Sequence, residues 1–435
     1  MSILIKNARF IIQDSAKILE NKDILIENNK ISSIGRIKDK SDIIIDGSSF
    51  IVAPSFANMH THLPMTIFRG YAEDMNLKEW LETKIWPLEK KMKKHKELFY
   101  IGTFISLVEL ISSGITLVFD MYFDFDAYYK IFKEFKIRVY FAHTLFDFFE
   151  EERKEQEIKE FEKIYKKIGK EKLKNVHIAL GPHAIYTASK ELLEWVKEKS
   201  EEENLPVHIH LQETRDEILF SIKKYGKTPT KFLKDLGLLN NKLFAAHCAW
   251  LTREDLETLG KNKVNIIHCP TSNLKLATGG NCPIVELMNK GANVLLGTDS
   301  AASNNNLDLL NEMKLAALLQ KNRYEDTSII KASDIYKMAT ENAGKSLGIK
   351  FGKVEEGYLA DIVLIDINSI RFRPISKQRI INHIIYAMRP SDIFMTICNG
   401  EIVYIKGKKI GKYSLEEVNE KIEKFERKIK KIMKH

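Results

Sequence analysis

Two histidines close the apolar run Val52-Ala-Pro-Ser-Phe-Ala-Asn-Met-His-Thr-His62, two residues apart. In a strand, positions i and i+2 point to one face, so His60 and His62 can both offer a ring nitrogen to one metal ion at about 2.0 to 2.1 Å. Two histidines on a face can equally be a packed polar patch, so the metal reading requires further ligands downstream. Apolar runs do end in Gly181-Pro-His183, in Pro206-Val-His-Ile-His210 with Glu213 just beyond, in Ala246-His247-Cys248 and in Gly297-Thr-Asp299. His60, His62, His210 and Asp299 are predicted to hold one ion, with water in the remaining position, and this nitrogen-rich set suits zinc or iron(II). His208 shares the face of His210 and is the alternative ligand; the residue nearer the strand end is preferred. A second metal is not expected, because Gly181-Pro-His-Ala184 carries neither a lysine to carbamylate nor a bridging carboxylate. His177 and His268 read as interior histidines satisfied by hydrogen bonds, His95 as surface, and Asp120 and Asp147 as capping or supporting groups.

Such residues can converge only if the chain brings the ends of distant strands together. Strand-like runs at 51–58, 115–120, 138–144, 176–181, 207–211, 243–247, 264–268 and 293–297 alternate with amphipathic stretches such as 98–112 and 190–203. That alternation predicts a parallel sheet with crossover helices, and eight strands over the middle of the chain predict a TIM-like (β/α)8 barrel. Active sites of such barrels lie at the C-terminal strand ends, where the histidines and carboxylates fall.

Residues 1–53 and 350–412 have a different texture, with short strands separated by polar turns and an Asn399-Gly400 hairpin signal. Each end is too small to bury a good core alone, so both are expected to meet in one small composite β-sandwich beside a barrel spanning 54–349. Residues 149–174 read as a solvated amphipathic helix added to the scaffold. Residues 413–435 read as one long helix opening on Ser414-Leu-Glu-Glu417, with an apolar seam that could pack on its own barrel or on a second subunit.

The 435 residues carry 68 Lys and Arg against 59 Asp and Glu, an excess that is spread along the chain without a basic stripe interleaved with aromatics. A nucleic-acid partner is therefore not expected. No apolar run approaches the length of a membrane span, and the first residues lack the pattern of an export signal. Cysteines 248, 269, 282 and 398 form no C-x-x-C pair, which fits reduced thiols, and the cytoplasm is the expected location.

The segments Met59-His-Thr-His62, His208-Ile-His-Leu-Gln-Glu213, Ala246-His-Cys248 and Gly297-Thr-Asp-Ser-Ala-Ala-Ser303 resemble the amidohydrolase superfamily. Within it, Pro64-Met-Thr-Ile-Phe-Arg-Gly70, Trp86-Pro-Leu-Glu89, Gly181-Pro-His183 and Pro270-Thr-Ser-Asn-Leu-Lys-Leu276 look like the deaminases of methylthioadenosine, S-adenosylhomocysteine and 5'-deoxyadenosine, with adenosine a further candidate substrate. The resemblance covers nearly the whole chain. It implies one zinc per subunit, iron(II) being the alternative, and attack of activated water on the purine carbon that bears the amine. Glu213 would be general acid and base at the adjacent ring nitrogen, Asp299 both ligand and proton acceptor, and His247 the group that orients the nucleophile and stabilises developing charge. Glu89 would bind the ribose hydroxyls and His183 would contact substrate.

His143 stands where some relatives carry an arginine for a substrate carboxylate, and by that position it is expected to contact substrate. A second family arginine has no clean counterpart in Asp147-Phe-Phe-Glu-Glu-Glu-Arg153, whose glutamates are expected to repel a homocysteine carboxylate. A small or uncharged 5' group is therefore the expected preference. A homo-oligomer, up to a tetramer, fits the superfamily. The rival readings are another aminohydrolase of this barrel, acting on guanine, a pterin or a triazine, and a metal-free barrel used as a scaffold.

Overall fold

The computed structural model describes residues 2–171 and 173–433. Eight parallel strands, each paired with the next, form the barrel: β1 (Phe56–Thr61), β2 (Ile115–Tyr122), β3 (Arg138–Leu145), β4 (Val176–Pro182), β5 (Val207–Leu211), β6 (Leu243–His247), β7 (Asn265–His268) and β8 (Asn293–Leu296). Helices cover the outside, so every residue of β2 and β3 is buried, and the strands read as continuous apolar runs. Inside, Met59, Leu117, Phe119, Ala142, Phe244, Ile267 and Leu295 fill the lumen.

The ring closes between its first and last strands. Asp299 N donates to the His60 carbonyl at 2.9 Å. The Asn58 side chain spans Thr298, accepting from its N–H at 3.0 Å and donating to its hydroxyl at 2.7 Å. Gly297 is required at this seam, because a Cβ there would lie 2.7 Å from the His60 Cβ.

The expected first strand, 51–58, is two strands. Phe50–Pro54 joins the sheet built from the chain ends, and β1 begins only after Ser55. Pro54 has no N–H to extend its ladder, and Ser55 N turns to the Asp361 carbonyl at 3.0 Å. Both strands are buried, so one unbroken apolar run hides the change of sheet.

The chain ends meet in one continuous ten-stranded sheet. Ser2–Ile12 is a single strand of 11 residues with a bulge between Ile5 and Ala8, longer than the short strands expected of the chain ends. Phe50–Pro54 pairs with it and with Ile362–Asp366, which carries the C-terminal strands Ile393–Cys398 and Glu401–Ile405. Ile3, Ile5, Ile26, Val52, Ile362, Leu364 and Ile397 from both ends share a fully buried core.

Helix Glu151–Glu171 buries Phe161, Ile164 and Ile168. Helix Leu415–Met433 is capped reciprocally: Ser414 N donates to Glu417 at 2.7 Å and Glu417 N to the Ser414 hydroxyl at 3.1 Å. Its seam packs on this chain's own helix Glu97–Ser112, with the Phe425 ring 5.3 Å from that of Phe104. Positions 434 and 435 of the expected helix lie outside the described residues. No helix among the described residues is long and apolar enough to cross a membrane.

Candidate active site

His60 lies on β1, His62 just beyond it, His210 on β5 and Asp299 three residues past β8. His60, His62 and His210 offer ring nitrogens within 4.8 Å of one another at the C-terminal mouth, and Asp299, which groups in the same way with His60 and His247, borders His60 and His62. Asp299 Oδ1 is 3.5 Å from His60 Nε2 and 3.2 Å from His62 Nε2, and His210 Nε2 is 3.4 Å from His62 Nε2.

The opposite ring nitrogens decide which lone pairs face that point. His62 Nδ1 donates to the Met121 carbonyl at 2.6 Å and His210 Nδ1 to the His183 carbonyl at 2.8 Å. A proton on Nδ1 leaves Nε2 as an acceptor aimed inward. His60 Nδ1 meets His208 Nε2 at 2.9 Å, and its buried Nε2 has no hydrogen-bond partner among the described residues. Burial lowers the His60 pKa, and that of His210 well below the usual value, so both are neutral as metal ligation requires.

Asp299 is equally oriented: Oδ2 accepts from Ser272 at 2.6 Å and Ser303 at 2.8 Å, leaving Oδ1 for the histidines. Three imidazole nitrogens and one carboxylate oxygen around an orphaned buried lone pair fit a zinc or iron(II) ion. His208, the alternative ligand, stands behind His60 instead.

Three residues at or just past strand ends adopt left-handed backbone without glycine, Gln212 (φ +49), His247 (φ +73) and Asp299 (φ +62). Such conformations cost about 1 kcal/mol or more each and are retained where a side chain must be aimed. Here the turns bring Glu213, His247 and Asp299 to the same mouth. Glu213 is buried, and burial first, then the charges of Asp299 and Glu217, hold its pKa well above the usual carboxylate range. His247, which burial pushes down to about 3, is neutral. Asn273 Nδ2 donates to its Nδ1 at 3.1 Å, which leaves the proton on Nε2.

These groups line a cavity of about 440 Å³, a size suited to a small ligand. Glu89 enters its wall from helix Trp86–Lys94, which follows a π-helical turn at Leu81–Ile85, a distortion common at functional sites. It accepts from the Tyr122 hydroxyl at 2.9 Å. His183 lines the same cavity, with Nδ1 2.9 Å from the Thr187 hydroxyl.

His143 does not reach the cavity. It is fully buried between β3 and helix Glu151–Glu171, 3.8 Å from Glu157, and its expected contact with substrate is corrected accordingly. The glutamates of 147–153 do not face the cavity either, so the expected repulsion of a homocysteine carboxylate is not borne out. Glu150, Glu151 and Glu152 are exposed, whereas Arg153 lines the cavity with its guanidinium 4.5 Å from the centre of the Phe148 ring. Lys93 lines it too, 4.5 Å from the Phe123 ring centre.

Sequence reasoning assigned no role to either cation or to the aromatic residues Trp86, Tyr122 and Tyr186 of the same cavity. Lys93 carried a signal, because it lies four residues after Glu89 and so on the same helix face. Arg153 carried a weaker one, since the first turn of a helix presents only some of its residues inward.

A barrel with three histidines and an aspartate converging at its C-terminal mouth, beside a buried glutamate, defines a metal-dependent hydrolase. The chain belongs to the amidohydrolase family, whose family model matches residues 51–403. It is 44% identical over 406 residues to the 5-methylthioadenosine/S-adenosylhomocysteine deaminase of Thermococcus sibiricus, covering 93% of this chain and 94% of that one. It is 42% identical over 393 residues to the 5'-deoxyadenosine deaminase of Methanocaldococcus jannaschii, covering 89% of this chain and 92% of the relative. Among solved structures, a zinc-bound adenosine deaminase from Xanthomonas campestris superposes with a TM-score of 0.88 at 26% identity, over 99% of this chain and 98% of that one.

Proposed function

We propose that this protein is an aminohydrolase that replaces the 6-amino group of adenosine-type nucleosides with oxygen, releasing ammonia and the inosine analogue. The substrates are 5'-deoxyadenosine, 5'-methylthioadenosine and S-adenosylhomocysteine, with adenosine itself a candidate. The observation that carries this reading is one cavity lined by His62, His210 and Asp299, with His60 buried against them, and by the buried carboxyl groups of Glu213 and Glu89. The deaminase relatives support the substrate class.

A zinc ion held by His60, His62, His210 and Asp299 would supply Lewis acidity that brings the pKa of a water near neutrality, and iron(II) would serve in the same set. Glu213, whose pKa burial raises well above the usual carboxylate range, delivers a proton to the purine ring nitrogen beside the reacting carbon, which makes that carbon electrophilic. Asp299 takes the proton released by the attacking water, and the Nε2 proton of His247 stabilises charge developing on the incoming oxygen. The amine then leaves as ammonia after accepting from Asp299 the proton taken from water, and the remaining hydroxyl proton passes to Glu213 as the carbonyl forms, restoring its acid. Glu89 accepts hydrogen bonds from the ribose hydroxyls, assisted by Tyr122, and His183 holds the sugar side of the substrate. Arg153 and Lys93 stand where a 5' substituent can meet them. The barrel at 54–349, the composite unit of 1–53 and 350–412, a homo-oligomer and a cytoplasmic location belong to the same reading.

Ammonia release from a panel of purines and purine nucleosides tests it. Turnover of the three named nucleosides with none of guanine, pterins or triazines is the expected result. Deamination of free bases alone would assign a different substrate class to the site.

A further inference from the structure

Helix Arg215–Tyr225 opens on Thr214-Arg-Asp-Glu217, the spacing of a capping box, in which the glutamate ordinarily reaches back to the threonine N–H. Half of the box is present, since Glu217 N donates to the Thr214 hydroxyl at 3.3 Å. The carboxylate, however, passes over Thr214 and takes the two preceding N–H groups, Gln212 N on Oε1 at 2.9 Å and Glu213 N on Oε2 at 3.0 Å. It straddles the left-handed residue Gln212, directly before the proposed general acid.

The Gln212 side chain is fixed as tightly. Its oxygen accepts from Thr230 N at 3.1 Å and from the Thr230 hydroxyl, and its nitrogen donates to the Trp250 carbonyl at 2.5 Å and to Asp255 at 3.2 Å. Glu217 is only 3% exposed, an uncommon place for a helix-capping carboxylate.

We propose that Glu217 is a positioning residue for the deamination, its carboxylate locking the Gln212-Glu213 backbone so that the Glu213 side chain is held against the substrate ring. This rests on the reading of Glu213 as general acid. Two backbone N–H bonds to one carboxyl group hold a strained turn that would otherwise relax and swing Glu213 away from the reacting atoms. Helix capping alone would be met by one bond to Thr214 N and would leave Glu213 unsupported.

The test uses the zinc-loaded full chain, with kcat, KM for 5'-deoxyadenosine, zinc content and Tm measured together. Glu217→Gln keeps the size of the side chain but turns an amide N–H₂ toward one of the two donors. It is expected to lower kcat about tenfold or more, with KM and zinc per chain unchanged, because small misplacements of a catalytic group cost rate steeply. In a Glu213→Gln background the same substitution is expected to change the residual rate less than twofold, since residues acting as a unit are not additive. A Glu217→Gln protein with wild-type kcat per zinc, or one that loses rate only in proportion to lost zinc or folded protein, overturns the inference while leaving Glu213 in its role. A Glu213→Gln protein with wild-type kcat overturns the general-acid reading, and this inference with it.

Discussion

His60 Nδ1 and His208 Nε2 lie 2.9 Å apart in the barrel interior, so the histidine two positions before one proposed ligand holds the ring of another. The pair aims the unpartnered His60 Nε2 at Asp299 and the other imidazoles. His208→Phe removes that support and is expected to weaken zinc binding about 10- to 100-fold, the usual cost of losing such a partner. Competition with a chromogenic chelator measures it, and excess zinc should restore most of the activity. Unchanged zinc affinity would show that His60 needs no such support.

Burial pushes the Glu89 carboxyl up to about 7, against the smaller downward effect of the Tyr122 hydrogen bond. An acid is charged above its pKa, so Glu89 is a carboxylate above pH 7 and a neutral acid below it. KM for 5'-deoxyadenosine is therefore expected to rise as pH falls through this region. In Glu89→Gln, KM should be high and lose that dependence; the same pH slope in the variant would remove Glu89 from ribose binding.

Arg153 lines the cavity over the Phe148 ring, where the neighbouring glutamates do not reach. Arg153→Ala is expected to lower kcat/KM for S-adenosylhomocysteine about tenfold or more, the worth of one charge-assisted hydrogen bond, with little effect on 5'-deoxyadenosine. Equal losses on both substrates would mean that the guanidinium supports the wall and does not meet the 5' group.

Gly297 sits against His60 at the seam of the barrel, with room for no Cβ. Gly297→Ala is expected to destabilise the fold by about 1–3 kcal/mol through overpacking, and to lower zinc content by displacing His60. Thermal unfolding and metal analysis read the two effects. A Tm unchanged from wild type would show that the seam relaxes without strain.

Much of the site was legible because strand geometry is simple. His60 and His62 share a face by alternation, and an apolar run ending in Gly-Thr-Asp placed Asp299 at a strand end. The choice between His208 and His210 needed depth along the barrel, which spacing does not encode, since both point the same way. The split of 51–58 escaped because both halves are buried and no polar residue marks the change of sheet apart from Ser55. His143 was placed by analogy and lies buried behind the cavity, whereas Arg153 was discounted for its acidic neighbours. Charge along the sequence is not charge in space, because helix Glu151–Glu171 turns those neighbours outward. The apolar seam of helix Leu415–Met433 was visible from its periodicity, but its docking on Phe104 depended on where the chain's last strand ends.

The most direct measurement is ammonia release from 5'-deoxyadenosine as zinc is returned to chelator-stripped protein. The rate is expected to climb in proportion to added zinc, stop at one equivalent per chain, and stay near zero at every zinc level in His210→Ala. Full activity in the stripped protein, or a rate that keeps rising to a second equivalent, would contradict a single ion held by His60, His62, His210 and Asp299.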